Sequence, residues 1–317
     1  MKYILYTTLF LSLLSFDAYA SGVADEVPEN PTALPFTAVV TDPVSLAKGG
    51  TNLTQTSSVS SAVFGNPASV PFSSLKGDFS AGYSLWEPSG SRSDIMTVAG
   101  AGCIKGKVGI AAGFSYGLNQ PYEVYDESGN PDGSFRPSDM RLGVGLSWRF
   151  VKFLSLGVNF GYARSTLAPG ASYGAFTSDI FLMSSFSGVR LSAGVSRIGS
   201  KVKASYGSNL YSLPAAASLG LGYGKVFGQK HGIDICADAS LYFTKEFSAS
   251  AGAEYSFDGK LFVRAGYRYG GQTVVPSYAS VGLGGCLAGV RIDIAYLIAG
   301  KDSPMANTLA CSLSYSF

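Results

Sequence analysis

From Gly77 to the last residue, apolar side chains recur at every second position, and that period admits little besides antiparallel β-sheet. Val290, Ile292, Ile294, Tyr296 and Ile298 alternate with Arg291, Asp293 and Ala295. Met140, Leu142, Val144, Leu146, Trp148 and Phe150 alternate with Arg141, Gly143, Gly145, Ser147 and Arg149. Leu154, Leu156, Val158, Phe160 and Tyr162 alternate with Ser155, Gly157, Asn159 and Gly161. About fourteen such strands fit, each of the length a membrane barrel needs. They start near Gly77, Arg92, Lys107, Ser138, Phe153, Gly174, Gly188, Ala215, Gly232, Glu246, Lys260, Ser277, Gly289 and Met305. Beyond the N-terminal turns no run of about 20 apolar residues occurs, which excludes helical membrane spans. Charged residues make up 14% of the 317, aromatic residues 13%, and 40 residues are glycine. Soluble domains carry about 25% charge. The expected fold is therefore all-β, a single transmembrane antiparallel barrel of about 14 strands, its outer face apolar and its inner face polar.

The connections agree with a barrel. Leu118–Pro137, Leu167–Tyr173 and Ile198–Pro214 read as long, while Val151-Lys152, Ser187, Asp258-Gly259 and Ala288-Gly289 read as tight turns. With both termini periplasmic, the long loops fall outside the cell. Thr244-Lys245 breaks the rule by looking tight at the outer end. The final strand runs Leu309, Cys311, Leu313, Tyr315, Phe317, and its terminal aromatic is similar to the signal read by the barrel-assembly machinery.

Ahead of the strands, residues 1–20 read as a signal peptide, with Lys2, an apolar Ile4–Phe16 core and cleavage near Ala20. Residues 21–40, with three acidic residues and three prolines, read as a periplasmic arm. Residues 41–75 are Gly/Ser/Thr-rich and read as a plug inside a barrel spanning 76–317. Pro67 fixes its own φ and keeps Asn66 out of the helical region. Asn66, Pro67 and Ala68 thus form a tight corner in which the Asn66 amide bonds backbone. Asn66 is expected to be buried.

With these residues in place the chain resembles the PorV/PorQ family of outer-membrane barrels, relatives of the FadL-type transporters. The likeness rests on Gly49-Gly50 through Asn66-Pro67-Ala68, on Leu156-Gly157-Val158-Asn159, on Leu191–Lys203 leading to Leu213-Pro214, and on Arg291–Tyr296. The resemblance implies a plugged fourteen-stranded barrel in the outer membrane of a Gram-negative bacterium. It also implies a non-enzymatic role in type IX-like secretion or surface assembly, with secreted proteins or other secretion components as partners. The chain is short for the shuttle-type member, which favours the PorQ-like or unassigned branch. The alternative is a FadL-like passive channel for small hydrophobic molecules. A channel needs an apolar path or a lateral gap in its wall, and a docking barrel can be fully plugged.

No enzyme chemistry or cofactor is expected. A net charge of +2 without a basic cluster gives no basis for nucleic-acid binding. The single histidine, His231, is placed in a periplasmic turn beside Lys230. The four cysteines form no C-x-x-C pair and read as small apolar strand residues. Arg141, Arg149, Asp234, Asp238, Glu246, Glu254, Arg264, Arg268, Arg291 and Asp293 fall on the inner face as a charged lining, balanced in sign. In the loop Leu118–Pro137, Tyr122, Tyr125 and Phe135 among acidic residues suit either a docking surface or a self-packed cap. Around Asp258-Gly259 the outward residues on both sides carry odd numbers, so a three-residue loop must pair Phe257 with Leu261. That register sets Glu254 opposite Arg264 on the inner face, worth about 0.2–1 kcal/mol as a cross-strand pair.

Overall fold

The computed structural model describes residues 32–86, 92–126, 128–203, 210–270, 275–300 and 303–317. The expected signal peptide and the first part of the arm lie outside the described residues. The barrel strands of the first half are β1 (Gly77–Trp86), β2 (Ser93–Ile104), β3 (Val108–Leu118), β6 (Ser138–Val151), β7 (Leu154–Ala168), β8 (Ala171–Phe186) and β9 (Val189–Gly199). Those of the second half are β12 (Ala216–Phe227), β13 (His231–Tyr242), β14 (Phe247–Phe257), β15 (Leu261–Tyr269), β16 (Tyr278–Leu287), β17 (Val290–Ile298) and β18 (Leu309–Ser316). Each pairs antiparallel with its neighbours, and β1 pairs with β18 to close a 14-stranded barrel. Two hairpins stand outside it, β4 (Tyr122–Tyr125) with β5 (Pro131–Phe135), and β10 (Val202–Lys203) with β11 (Leu210–Tyr211).

The alternation sorts the faces. On β17, Val290, Ile292, Ile294, Tyr296 and Ile298 are exposed on the outer wall, whereas Arg291, Asp293, Ala295 and Leu297 are buried inside. The Asp258 turn has the register that parity requires: Phe257 faces Leu261 and Glu254 faces Arg264. Gly259 takes the left-handed conformation at φ 62°. Tyr255 and Tyr267 lie on the outer face. Phe317 donates its N–H to the Gly77 carbonyl and stacks on Phe79 with ring centroids 6.3 Å apart. This locks the seam where the barrel closes.

Several expectations change. The Leu167–Tyr173 connection is tight, because β7 and β8 pair out to Ala168 and Ala171 around a turn at Gly170. The last strand begins at Leu309; before it, Met305 is buried in one cluster with Trp86 and Tyr278 at the long-loop end, and Ala306 is buried beside it in sequence. The Leu118–Pro137 loop builds its own hairpin, with the Tyr122 and Phe135 rings 5.9 Å apart. His231 lies at the edge of the expected turn, half-buried, and not within it. It opens β13, stacks on Phe227, and shares a 2.7 Å hydrogen bond between its Nδ1 and the Tyr255 hydroxyl. Glu246 sits in the β13–β14 turn instead of on a strand.

Inside the wall runs the N-terminal segment. The arm expected below the barrel is, over 32–40, inside it. Ala33 donates its N–H to Ser212 in the β9–β12 loop, and Leu34 packs with Val202 and Leu213. The chain then descends through a short helix, Pro43–Leu46, capped by the Asp42 carboxylate accepting from Ser45 N–H at 2.9 Å. Two 3-10 turns, Ser60–Phe64 and Pro67–Phe72, reach the short-turn end.

Candidate functional site

The plug and the wall meet at glycines because nothing larger fits. A Cβ on Gly157 would stand 2.3 Å from Ala68 N, and one on Gly266 would stand 2.2 Å from Gly49 N. The high glycine content thus lets plug backbone lie directly on strand backbone. Asn66 fixes the corner. Its Oδ1 accepts from Ala68 N–H at 2.9 Å, while its Nδ2 donates to the Leu53 carbonyl at 2.6 Å and to Ser192 Oγ at 2.9 Å. It is 1% exposed. Pro67 and Ala68 are buried beside it and begin the second 3-10 turn.

Wall carboxylates take up plug backbone donors. Asp238 Oδ2 accepts from Asn52 N–H at 2.8 Å and Leu53 N–H at 3.1 Å. Asp78 Oδ2 accepts from Val59 N–H at 2.7 Å and Ser60 N–H at 2.9 Å. Lys48, 1% exposed, hydrogen-bonds Gln55 and sits 3.6 Å from Asp234, which also pairs with Arg190. Arg264 bonds Glu254 at 2.6 Å and Asp293 at 2.7 Å, and Arg291 bonds the other Asp293 oxygen at 2.6 Å. Both guanidiniums flank the Phe262 ring. Arg141 lies over Phe64 and donates to the Thr37 carbonyl at 3.1 Å, and Arg149 lies over Phe72. Arg268 donates to Tyr242 and Ser248. The sequence-derived lining is therefore largely occupied in holding the plug and itself.

The inner face, expected to carry Gly, Ser, Ala and charge, also holds an apolar sector. Ala163 on β7 and Ala175 on β8 pack with Leu34, Val202 and Leu213 toward the long-loop end. Further down, Phe181 and Met183 on β8 pack with Leu53 and Ala68 of the plug. Between these two apolar clusters the wall is irregular. Ser178 pairs with Ile198 and Ile180 with Val195, so Asp179 faces two residues, Ser196 and Arg197. Arg197 takes φ 57° in this bulge, its N–H donated to Asp179 Oδ1 at 2.6 Å and its Nε to the Pro214 carbonyl at 2.7 Å. Asn159 links the bulge to the plug by donating to Asp179 Oδ2 at 3.1 Å and to the Gly65 carbonyl at 3.2 Å. A cavity of about 50 Å³ lies between plug and wall here, bounded by Asp179, Phe181 and Arg197 together with Leu53, Phe64 and Asp238.

Asp179, Arg197, Phe181, Met183, Lys48 and Asp78 escaped the sequence reading, and Asn159 was placed on the inner face without its link to the bulge. One signal was present. Val189, Leu191, Ala193 and Val195 keep period two, yet the next outward residue is Ile198, three positions on. A phase slip of this kind marks a bulge.

The loop aromatics divide. Both tyrosines are exposed, but Tyr122 donates its hydroxyl to the Leu167 carbonyl at 2.8 Å, tying the hairpin to the β7–β8 corner, whereas Tyr125 bonds Glu123 of its own strand.

No protein-family model and no curated protein matches the sequence. Solved structures do. The toluene transporter TodX of P. putida superposes with a TM-score of 0.61 at 14% identity, covering 86% of this chain and 97% of its own. The chain has the fold of FadL-like outer-membrane barrels. The Ralstonia pickettii toluene transporter TbuX gives 0.59 at 13% identity, over 86% of this chain and 97% of its own. A Pseudomonas aeruginosa FadL homologue gives 0.50 at 12% identity, over 87% and 97%. At these identities the likeness is one of fold.

Proposed function

We propose that this chain is a non-enzymatic, passive outer-membrane channel for small hydrophobic molecules, reached after export by the 1–20 leader and assembled through recognition of Phe317. The supporting observation is the cavity beside the wall bulge. Apolar clusters flank it on both sides, and the plug blocks the straight way down through Lys48, Arg264 and their carboxylate partners. A molecule entering at the Leu34–Leu213 cluster would pass along Ala163 and Ala175 to the cavity and leave sideways between β8 and β9. Sideways exit suits apolar cargo because the outer wall is itself apolar and faces lipid. The shared fold with transporters of toluene supports the same reading.

The test compares uptake of labelled toluene by cells with the protein, without it, and with Arg197 deleted to restore period two across the wall. Uptake should fall to the level of the deletion strain in the Arg197-deleted barrel. Equal uptake in all three would refute the channel.

A second reading, the PorV/PorQ-like secretion or surface-assembly component, is favoured by the filled lumen and by Tyr125 exposed on an acidic outer hairpin. It requires loss of secreted proteins from the surface of the deletion strain with hydrocarbon uptake unchanged.

A further inference from the structure

We infer that the outer wall, at the long-loop end of the barrel, holds a site for the phosphate of an outer-leaflet lipid, built by Arg92 and Arg136 on the carboxylate of Asp94. The site lies on the outside of the wall and does not depend on what passes through the lumen.

Asp94 stands on the outward face of β2, one outward step beyond Met96 toward the loops. Three side chains converge on it. The Tyr83 hydroxyl donates to Oδ1 at 2.5 Å and Arg92 Nε to the same oxygen at 3.1 Å, while Arg136 Nη2 donates to Oδ2 at 2.9 Å. Two guanidiniums thus share one carboxylate, and one positive charge is left over. Both arginine side chains stay open, 56% and 44% exposed. Each contacts the same carboxylate within 3.1 Å, which bounds the gap between their nitrogens at roughly 8 Å, the span of two hydrogen bonds and the edge of a phosphate. Nη1 of each has no partner among the described residues, so both have a donor to offer.

The height is that of lipid head groups. On β6 the outward side chains are apolar from Phe150 up to Met140, and the next, Ser138, is polar. Ten residues at about 3.4 Å each, tilted by about 40°, rise about 25 Å, the height of a lipid-facing band. Ser138 shares a cross-strand row with Leu118 and Asp94, so the arginine pair begins where the band stops. A third cation lies at this level. Arg164 on β7 is exposed, pairs across with Met140, and makes no hydrogen bond or ion pair among the described residues. Three strand steps of about 4.8 Å separate it from Met96. Among the described outward positions of the barrel strands, the only other cation is Lys225, at the short-turn end.

Phosphate suits this arrangement because guanidiniums bind it through several N–H groups at once. An ammonium head group would find Asp94 already engaged by three donors. On the neighbouring hairpin, Glu123 is engaged by Tyr125, and Asp126 by the N–H groups of its own turn. Met96, Tyr116 and Met140 form the wall just below, where acyl chains would lie, and a free phosphate gains nothing from that wall.

The experiment titrates the full mature chain, in detergent micelles, with bisphosphorylated lipid A and with the same lipid stripped of its phosphates, and counts bound lipid by native mass spectrometry. Wild type should bind the phosphorylated form at least about tenfold more tightly, the difference one hydrogen bond to a charged group produces. Arg92→Gln combined with Arg136→Gln should lower it to the level of the stripped lipid. Arg164→Gln should weaken it by about threefold, as an exposed charge does. Lys225→Gln should leave it unchanged. Heat-modifiable gel migration reports whether each variant is folded. Equal binding of the two lipids, wild-type binding by the double variant, or an equal loss in Lys225→Gln would overturn the site. Displacement of the lipid by an equimolar amount of inorganic phosphate would assign the arginines to a free anion and overturn the lipid.

Discussion

Replacing Arg264 by Met removes a cation whose side chain is 0% exposed and whose two carboxylate partners are 6% and 0% exposed. As a cross-strand pair on an open sheet, Glu254–Arg264 would be worth about 0.2–1 kcal/mol. The closed barrel changes the magnitude. Arg264 serves Glu254 and Asp293 together, and the plug covers that side of the lumen, with Arg291 donating to the Ser57 carbonyl at 3.3 Å. Without Arg264, Glu254 loses its 2.6 Å partner and Asp293 keeps only Arg291. Breaking a buried ion pair from one side costs about 3–5 kcal/mol, since a desolvated charge is left behind. Three kcal/mol is about a hundredfold in the folding equilibrium. Urea unfolding in phospholipid micelles, followed by the fluorescence of Trp86 and Trp148, should show the midpoint falling by about 1 M or more for a slope near 3 kcal/mol/M. Adding Glu254→Gln to Arg264→Met should recover at least about 1 kcal/mol, because the stranded carboxylate is neutralised. A loss below about 1 kcal/mol in the single variant is what a solvated surface pair gives. That result, or strict additivity in the double variant, would refute the claim that the plug seals this network.

Other outcomes are expected. Asn66→Ala removes the side-chain bonds to Leu53, Ala68 and Ser192 and should cost about 1–3 kcal/mol, with faster amide hydrogen exchange at Leu53 and Ala68; unchanged exchange would show the corner holds without it. Gly266→Val places atoms where Gly49 N and the Lys48 carbonyl carbon lie, so the plug should lift from β15 and single-channel conductance in planar bilayers should rise; closed bilayers would count against a tightly seated plug. Phe317→Ala should slow insertion, and it should also weaken the seam by removing the stack on Phe79, seen as a lower temperature for the heat-modified gel shift; wild-type assembly and an unchanged shift would contradict both.

The sequence by itself determined the barrel, its strand order and most of its faces. Side chains alternate with period two on any strand, so Val290 to Ile298 declare their outward direction without knowledge of neighbours. Parity likewise fixes the partner of Glu254, because opposed residues share a face. What it could not determine involves residues that meet only when the barrel closes around its own N-terminus. The segment 32–75 has no period to read, and its path up to Ser212 depends on wall glycines, two carboxylates and Arg141 contributed by distant strands. The tight β7–β8 corner was legible at Pro169-Gly170, a common turn pair; the flanking Ala168 and Ala171 carry no strand signal, so the strands read as ending earlier than they do. The apolar sector arises because Phe181 and Met183 stand on the inner side of a strand whose inward positions also include Asp179. Whether such a face is greasy or polar depends on what the plug sets against it, and here it sets Leu53 and Ala68.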